Sequence, residues 1–192
     1  LFSLASRYGR PPMEVSQQGD IFTTATLPLG SPEAAPLIEL NGQVMNAFGM
    51  VRGVSHSEFI RGREDGKLYF LETSARVGGA HIVDLIEAAT GLNMWAEWAK
   101  VEIAGGKAPY QPPTPQRDAA GLLVSLARQQ HPDTSAYNDP EIVWRMTEKE
   151  HHVGLLVKSP DPKRVQELLN SYAERMRQDF LAWKPPLERP NF

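Results

Sequence analysis

Gly53-Val54-Ser55-His56-Ser57-Glu58-Phe59 and, past a turn at Glu64-Asp65-Gly66, Leu71-Glu72-Thr73-Ser74-Ala75-Arg76-Val77-Gly78-Gly79 decide how this chain is read. The β-branched and aromatic content on either side of the turn predicts two strands, over residues 51–62 and 67–76. Side chains alternate faces along a strand, so Glu72, Ser74 and Arg76 share one face, and His56 and Glu58 share one on the preceding strand. Register decides whether those faces coincide. A two-residue Asp65-Gly66 loop pairs Glu58 with Thr73 and separates the glutamates. A three-residue loop with Gly66 in the left-handed bulge position pairs Glu58 with Glu72 and His56 with Ser74, and all five polar groups converge.

Two carboxylates opposed across a ladder, with Cβ atoms about 5 Å apart, repel unless a proton, an arginine or a metal lies between them. An oxygen-rich site in a chain without cysteine favours Mg²⁺ or Mn²⁺ shared with phosphate oxygens over Zn²⁺. Arg76 can hold a phosphate bidentately, and Gly78-Gly79 lets backbone N–H groups at a helix start approach an anion. Spacing alone leaves a second reading open, in which Glu58, Glu72 and Arg76 form a solvated salt-bridge cluster and His56 is structural.

Outward from this stretch, residues 1–19 show no sustained period and read as an irregular entry, and residues 21–27 read as a strand bounded by Gly19-Asp20 and Pro28. Helices are predicted at about residues 33–48 and 80–90, packed on one face of the hairpin. Gly91 stands where a left-handed cap belongs. A short helix carries Trp95 and Trp98, whose spacing of three reads as core packing rather than base stacking. Gly105-Gly106 with Pro109, Pro112, Pro113 and Pro115 reads as a linker. Beyond it, residues 119–127, 141–147 and 152–157 are predicted strands. A long amphipathic helix capped by Asp161 follows, burying Val165, Leu168, Leu169, Tyr172 and Met176. Lys163, Arg164, Arg175 and Arg177 alternate with acidic residues and read as its solvated face. His151 and His152 point to opposite faces of a strand and make no shared site. The expected fold class is α+β, an antiparallel sheet with packed helices over residues 1–107 and a small appended α+β lobe over residues 117–192.

The 192 residues suit one domain or one with an appended lobe. With 20 Lys and Arg against 23 Asp and Glu, the net charge of -3 gives no bulk attraction for nucleic acid or acidic membrane. Hydrophobic residues at 41% and charged ones at 22% exclude a disordered chain. The absence of cysteine excludes disulfides and thiolate chemistry, no apolar run is long enough to span a membrane, and cytoplasm is the expected location.

The combined pattern Gly53-x-x-His56-x-Glu58, a turn, Tyr69-Phe70-Leu71-Glu72-x-Ser74-x-Arg76-x-Gly78-Gly79 and a helix ending Ala89-Thr90-Gly91 resembles the C-terminal lobe of the ATP-grasp superfamily, in its carboxylate–amine ligase and carbamoyl-phosphate-synthetase-like branch. The resemblance covers residues of about 20 to 104. It implies ATP and Mg²⁺ (or Mn²⁺) as cofactors, Glu58 and Glu72 as ligands of the metal that bridges the β and γ phosphates, and Ser74 as a third ligand where the family usually has Asn. It further implies Arg76 as the catalytic group steadying the transferred phosphoryl, with His56, Gly78 and Gly79 lining the cofactor and acyl-phosphate site. The activity implied is ATP-dependent joining of a small-molecule carboxylate to an amine through an acyl phosphate. The family's N-terminal nucleotide-clamping lobe has no counterpart here, so the chain reads as the C-terminal part of a longer enzyme, inactive by itself, with a homodimer compatible. Two other classes stand beside this reading: a noncatalytic interaction domain on the same scaffold, and a metal-dependent phosphate-binding or hydrolytic domain.

Overall fold

The computed structural model describes residues 2–107 and 109–182. In chain order the elements are β1 (Ser6–Tyr8), α1 (Pro12–Gln18), β2 (Phe22–Thr26), α2 (Ala34–Ala47), β3 (His56–Arg61), β4 (Leu68–Ser74), α3 (Ile82–Thr90), α4 (Met94–Ala104), β5 (Ala119–Leu126), β6 (Ile142–Arg145), β7 (His152–Ser159) and α5 (Pro162–Asp179). The fold is mixed helix and antiparallel sheet, as expected. Two compact units divide the chain: Thr26–Asp118 with the residues up to Ser6, and Arg7–Ala25 with the residues from Ala119 on. The second unit thus begins where the Pro-rich segment ends, and it also recruits a stretch from the start of the chain.

That second unit is built on a five-stranded sheet in the order β1-β2-β5-β7-β6. β2 pairs antiparallel with β5, Phe22 opposite Val124 and Ala25 opposite Gly121, and β5 pairs antiparallel with β7 from Ala119–Ser159 to Leu126–His152. Residues 7–18, read as irregular from sequence, hold part of β1 and all of α1. Pro12 lies in the first turn of α1, where its missing N–H costs nothing, and Gly19 ends the helix at φ 65°.

α5 starts as its sequence predicts, with Asp161 Oδ1 accepting from Lys163 N at 2.9 Å. Its apolar stripe of Val165, Leu168, Leu169, Tyr172 and Met176 is buried with Leu123, Leu155 and Val157 of the sheet in one cluster. Gly121 allows that close packing, since a Cβ there would lie 2.8 Å from Val165 Cγ1 and 2.9 Å from Leu169 Cδ1. The basic residues of α5 are not merely solvated. Arg164 binds Asp139 at 2.6 Å and Glu141 at 2.8 Å, Arg177 binds Asp20 at 2.7 Å, and the Arg175 guanidinium lies 4.1 Å from the centre of the Tyr137 ring. These contacts fasten the helix to its own unit.

In the other unit, α4 is capped by Asn93, whose side-chain oxygen accepts from the Trp95 and Ala96 amides. The tryptophans are not core: their rings stack on each other at 6.0 Å, with Trp95 58% exposed. The proline-rich segment is not a loose tether either. Tyr110 Oη donates to the buried carboxylate of Glu97, which also accepts from Lys100 Nζ at 2.7 Å, and Gln116 N and Asp118 N donate to the carbonyls of Thr90 and Ala89. Burial and the bond to Glu97 push the Tyr110 hydroxyl up to about 12.

Candidate active site

The hairpin of β3 and β4 is a two-stranded sheet of its own. Its turn is set by glycine and aspartate: Gly62 N donates to Lys67 O at 2.8 Å, Gly66 N returns to Gly62 O at 3.0 Å with φ 67°, and Asp65 Oδ1 accepts from Lys67 N at 3.1 Å. Four residues, 63–66, therefore form the loop, one more than the sequence reading requires. From this closure the ladder pairs Arg61 with Leu68, Ile60 with Tyr69 and Phe59 with Phe70. Continued unbroken, it would set Glu58 opposite Leu71 and leave Glu72 on the far face.

The register instead shifts between Glu58 and Phe59, and Glu58 pairs with Glu72, Ser57 with Thr73 and His56 with Ser74. Leu71 is the additional residue, a β-bulge that brings the second glutamate round to the face of the first. The expected pairing is present, and the bulge, not a three-residue loop, produces it.

Register then sorts the side chains. His56, Glu58, Glu72 and Ser74 share one face. The opposite face carries Ser57 and Thr73, whose hydroxyls bond at 2.8 Å, and Phe59 and Phe70, with ring centres 5.9 Å apart. Phe48, just past the end of α2, lies 6.2 Å from the Phe70 ring. This ring contact falls on the face away from the carboxylates. Glu58 is half-buried and Glu72 exposed.

Arg76 does not reach this region by strand alternation. β4 ends at Ser74, and Arg76 N folds back onto Ser74 O at 2.9 Å, a three-residue turn that takes the chain out of the sheet. The guanidinium donates through Nη1 to Val77 O at 2.8 Å, and Nη1 lies 3.9 Å from where a Cβ on Gly79 would stand. At Gly78 a Cβ would come 2.8 Å from Ile82 Cγ2 and 3.3 Å from His56 Cδ2, so only glycine lets Ile82 and the imidazole close on the backbone there. Burial holds the His56 imidazole below its ordinary value. Glu58 and Glu72 oppose that shift and Arg76 reinforces it, so all three charges act on one ring.

Glu58, Glu72, His56, Ser74, Arg76 and the Gly78–Gly79 pair are thereby gathered around one end of the hairpin. Among the described residues no group of three or more His, Asp or Glu forms a metal cage. Two opposed carboxylates instead fit Mg²⁺ or Mn²⁺, which takes one or two carboxylates and completes its shell with phosphate oxygens and water. A hollow of about 380 Å³ lies elsewhere, at the hairpin tip, lined by Gly62, Arg63, Glu64, Asp65 and Tyr69. Leu71 is the residue that sequence reasoning missed. A bulge has no composition signal of its own, and only the closing pair Gly62–Lys67 exposes the mismatch.

No family model matches the chain, and no curated protein matches its sequence. Among solved structures, it is similar to phosphoribosylglycinamide synthetase from Anaerococcus prevotii, at 14% identity and a TM-score of 0.53, over 84% of this chain and 45% of that one. It is likewise similar to L-amino acid ligase from Bacillus licheniformis, at 13% identity and a TM-score of 0.60, over 86% of this chain and 44% of that one. The chain spans less than half the length of either. These likenesses establish an ATP-grasp-like fold. No helix among the described residues is long and apolar enough to cross a membrane.

Proposed function

We propose that this chain is the metal- and phosphate-binding portion of an ATP-dependent carboxylate–amine ligase. The observation that carries the proposal is the bulge at Leu71, which sets Glu58 opposite Glu72 at a cost in repulsion that a divalent cation relieves. The ATP-grasp-like fold supports it, since both solved structures named above are of ligating enzymes.

In this reading a divalent metal would supply charge neutralisation to the phosphates of ATP. Glu58 and Glu72 hold the metal through carboxylate oxygens, with Ser74 beside them as a hydroxyl or water-mediated ligand. Arg76 faces the transferred phosphoryl group, whose spread negative charge a planar guanidinium stabilises. Gly78 and Gly79 offer backbone N–H groups to the acyl phosphate, and His56 lines the cofactor side. A substrate carboxylate oxygen forms the new bond to γ-phosphorus as the bond to the β-bridging oxygen breaks and ADP leaves. The amine nitrogen then attacks the carbonyl carbon, inorganic phosphate departs and the nitrogen loses a proton. Positioning and electrostatics supply most of the acceleration of such transfers, so a second lobe closing over the nucleotide is required.

The test is ADP release from ATP with a panel of amino acids, in the longer enzyme this proposal requires and in the 192-residue chain. Turnover is expected only in the longer enzyme. There Glu72→Gln removes most of it, while Glu141→Gln, in the other unit, leaves it nearly unchanged. Wild-type rates in the Glu72 variant, or full activity from this chain alone, would overturn the proposal. Hydrolysis independent of any acid or amine would indicate a phosphohydrolase instead.

A further inference from the structure

The segment between Gly78 and α3 adopts a conformation its sequence disfavours. Gly79 O accepts from Ile82 N at 2.9 Å, closing a turn over residues 79–82 whose central residues, Ala80 and His81, have φ of 49° and 63°. Two consecutive positive φ values mark the primed turn that asparagine and glycine normally supply, and each non-glycine residue placed there is strained. His81 is also the N-cap of α3, yet its side chain caps no backbone N–H. A serine, threonine or aspartate would do so. Its ring instead meets Asp84 in the first turn of the helix, Nδ1 to Oδ2 at 2.9 Å.

We propose that His81, held by Asp84, is a positioning residue: it clamps the left-handed turn over residues 79–82 and so keeps Gly78 and Gly79 against His56 and Arg76. The inference rests on the reading of Gly78–Gly79 as the anion-binding loop. Three observations bear on it together. The strain must be offset by the surroundings to persist. Ile82, the residue that closes the turn, is the one whose side chain packs on Gly78. The His81 ring meets Asp84, and that contact ties the turn to the first turn of α3. If the turn relaxes, Ile82 moves, and the glycine backbone loses its register with the imidazole and the guanidinium.

The test compares His81→Ala, His81→Asn and Asp84→Ala by ¹⁵N–¹H spectra of this chain, without ligand and during titration with inorganic phosphate in magnesium. Asparagine tolerates the left-handed region and can bond Asp84, so it is the conservative rescue. Without ligand, the Gly78 and Gly79 resonances should move in His81→Ala and Asp84→Ala and stay near wild type in His81→Asn. With phosphate, the two displaced variants should bind about tenfold more weakly, the size of effect seen when a partner behind a ligand is removed, and His81→Asn should not. Resonances and affinity unchanged in His81→Ala would overturn the inference, as would failure of His81→Asn to restore them. A wild-type chain whose glycine amides ignore phosphate would count against the anion-binding role, and the ligand-free spectra would still decide whether His81 holds the turn.

Discussion

Leu123 and Leu155 of the five-stranded sheet and Met176 of α5 are wholly buried, whereas Ile60, Tyr69 and Leu71 of the β3–β4 hairpin are each 53% exposed. The contrast extends to charge. In the five-stranded unit Asp139 and Glu141 meet the Arg164 guanidinium, and Asp20 meets those of Arg10 and Arg177. In the hairpin the ladder sets glutamate against glutamate. One unit spends its residues on cohesion, and the other sets two like charges opposite each other on one face of its hairpin. Like charges opposed by a bulge are a cost, and costs of that kind gather at sites of function.

The largest effect should separate the two units by stability. Leu155→Ala removes a fully buried side chain and should cost about 2–5 kcal/mol, while Leu71→Ala should stay within about 0.5 kcal/mol. Urea unfolding followed by a probe in each unit measures both, and equal losses would break the comparison. Gly121→Ala should cost about 1–3 kcal/mol, because its new Cβ meets Val165 and Leu169 where neither can retreat without disturbing the cluster.

A smaller effect is set by pH. Burial pushes the Asp20 carboxyl up, but the bonds from Arg177, the Ile21 amide and Arg10 together outweigh it and hold the group below its ordinary value. A carboxylate depressed on folding contributes stability above its unfolded pKa and loses it as pH falls through the folded one. Below about pH 4, then, the wild type should lose stability more steeply than Asp20→Asn. Parallel acid unfolding curves would show that the Asp20 cluster contributes nothing.

How much of this was readable from the sequence depends on the range of the physics involved. Local signals located elements well: the Asp161 cap, the Gly91 terminus and the stripe of α5 all act within a few residues. Long-range pairing was not readable. Nothing within residues 22–26 announces that their partner is β5, about a hundred residues later, and α1 was passed over because Pro11-Pro12 reads as a breaker although Pro12 also suits a first helical turn. The opposition of Glu58 and Glu72 was expected from a three-residue loop, and the pairing is present through a register shift that the loop reading did not contain. The bulge at Leu71 and the left-handed pair at Ala80 and His81 were not legible, since each is fixed by contacts that propensity does not describe. Arg76, expected on the strand by alternation, stands past its end, on the turn that folds back onto Ser74.

The most direct test of the central claim is Mn²⁺ binding to this chain in the presence of ATP, read by electron paramagnetic resonance in the wild type, Glu58→Gln, Glu72→Gln and Glu141→Gln. If the two hairpin carboxylates share one cation, either glutamine at the hairpin should weaken binding by at least about tenfold and Glu141→Gln should leave it unchanged. Equal affinity in all four proteins, or no Mn²⁺ bound by the wild type, would contradict the account.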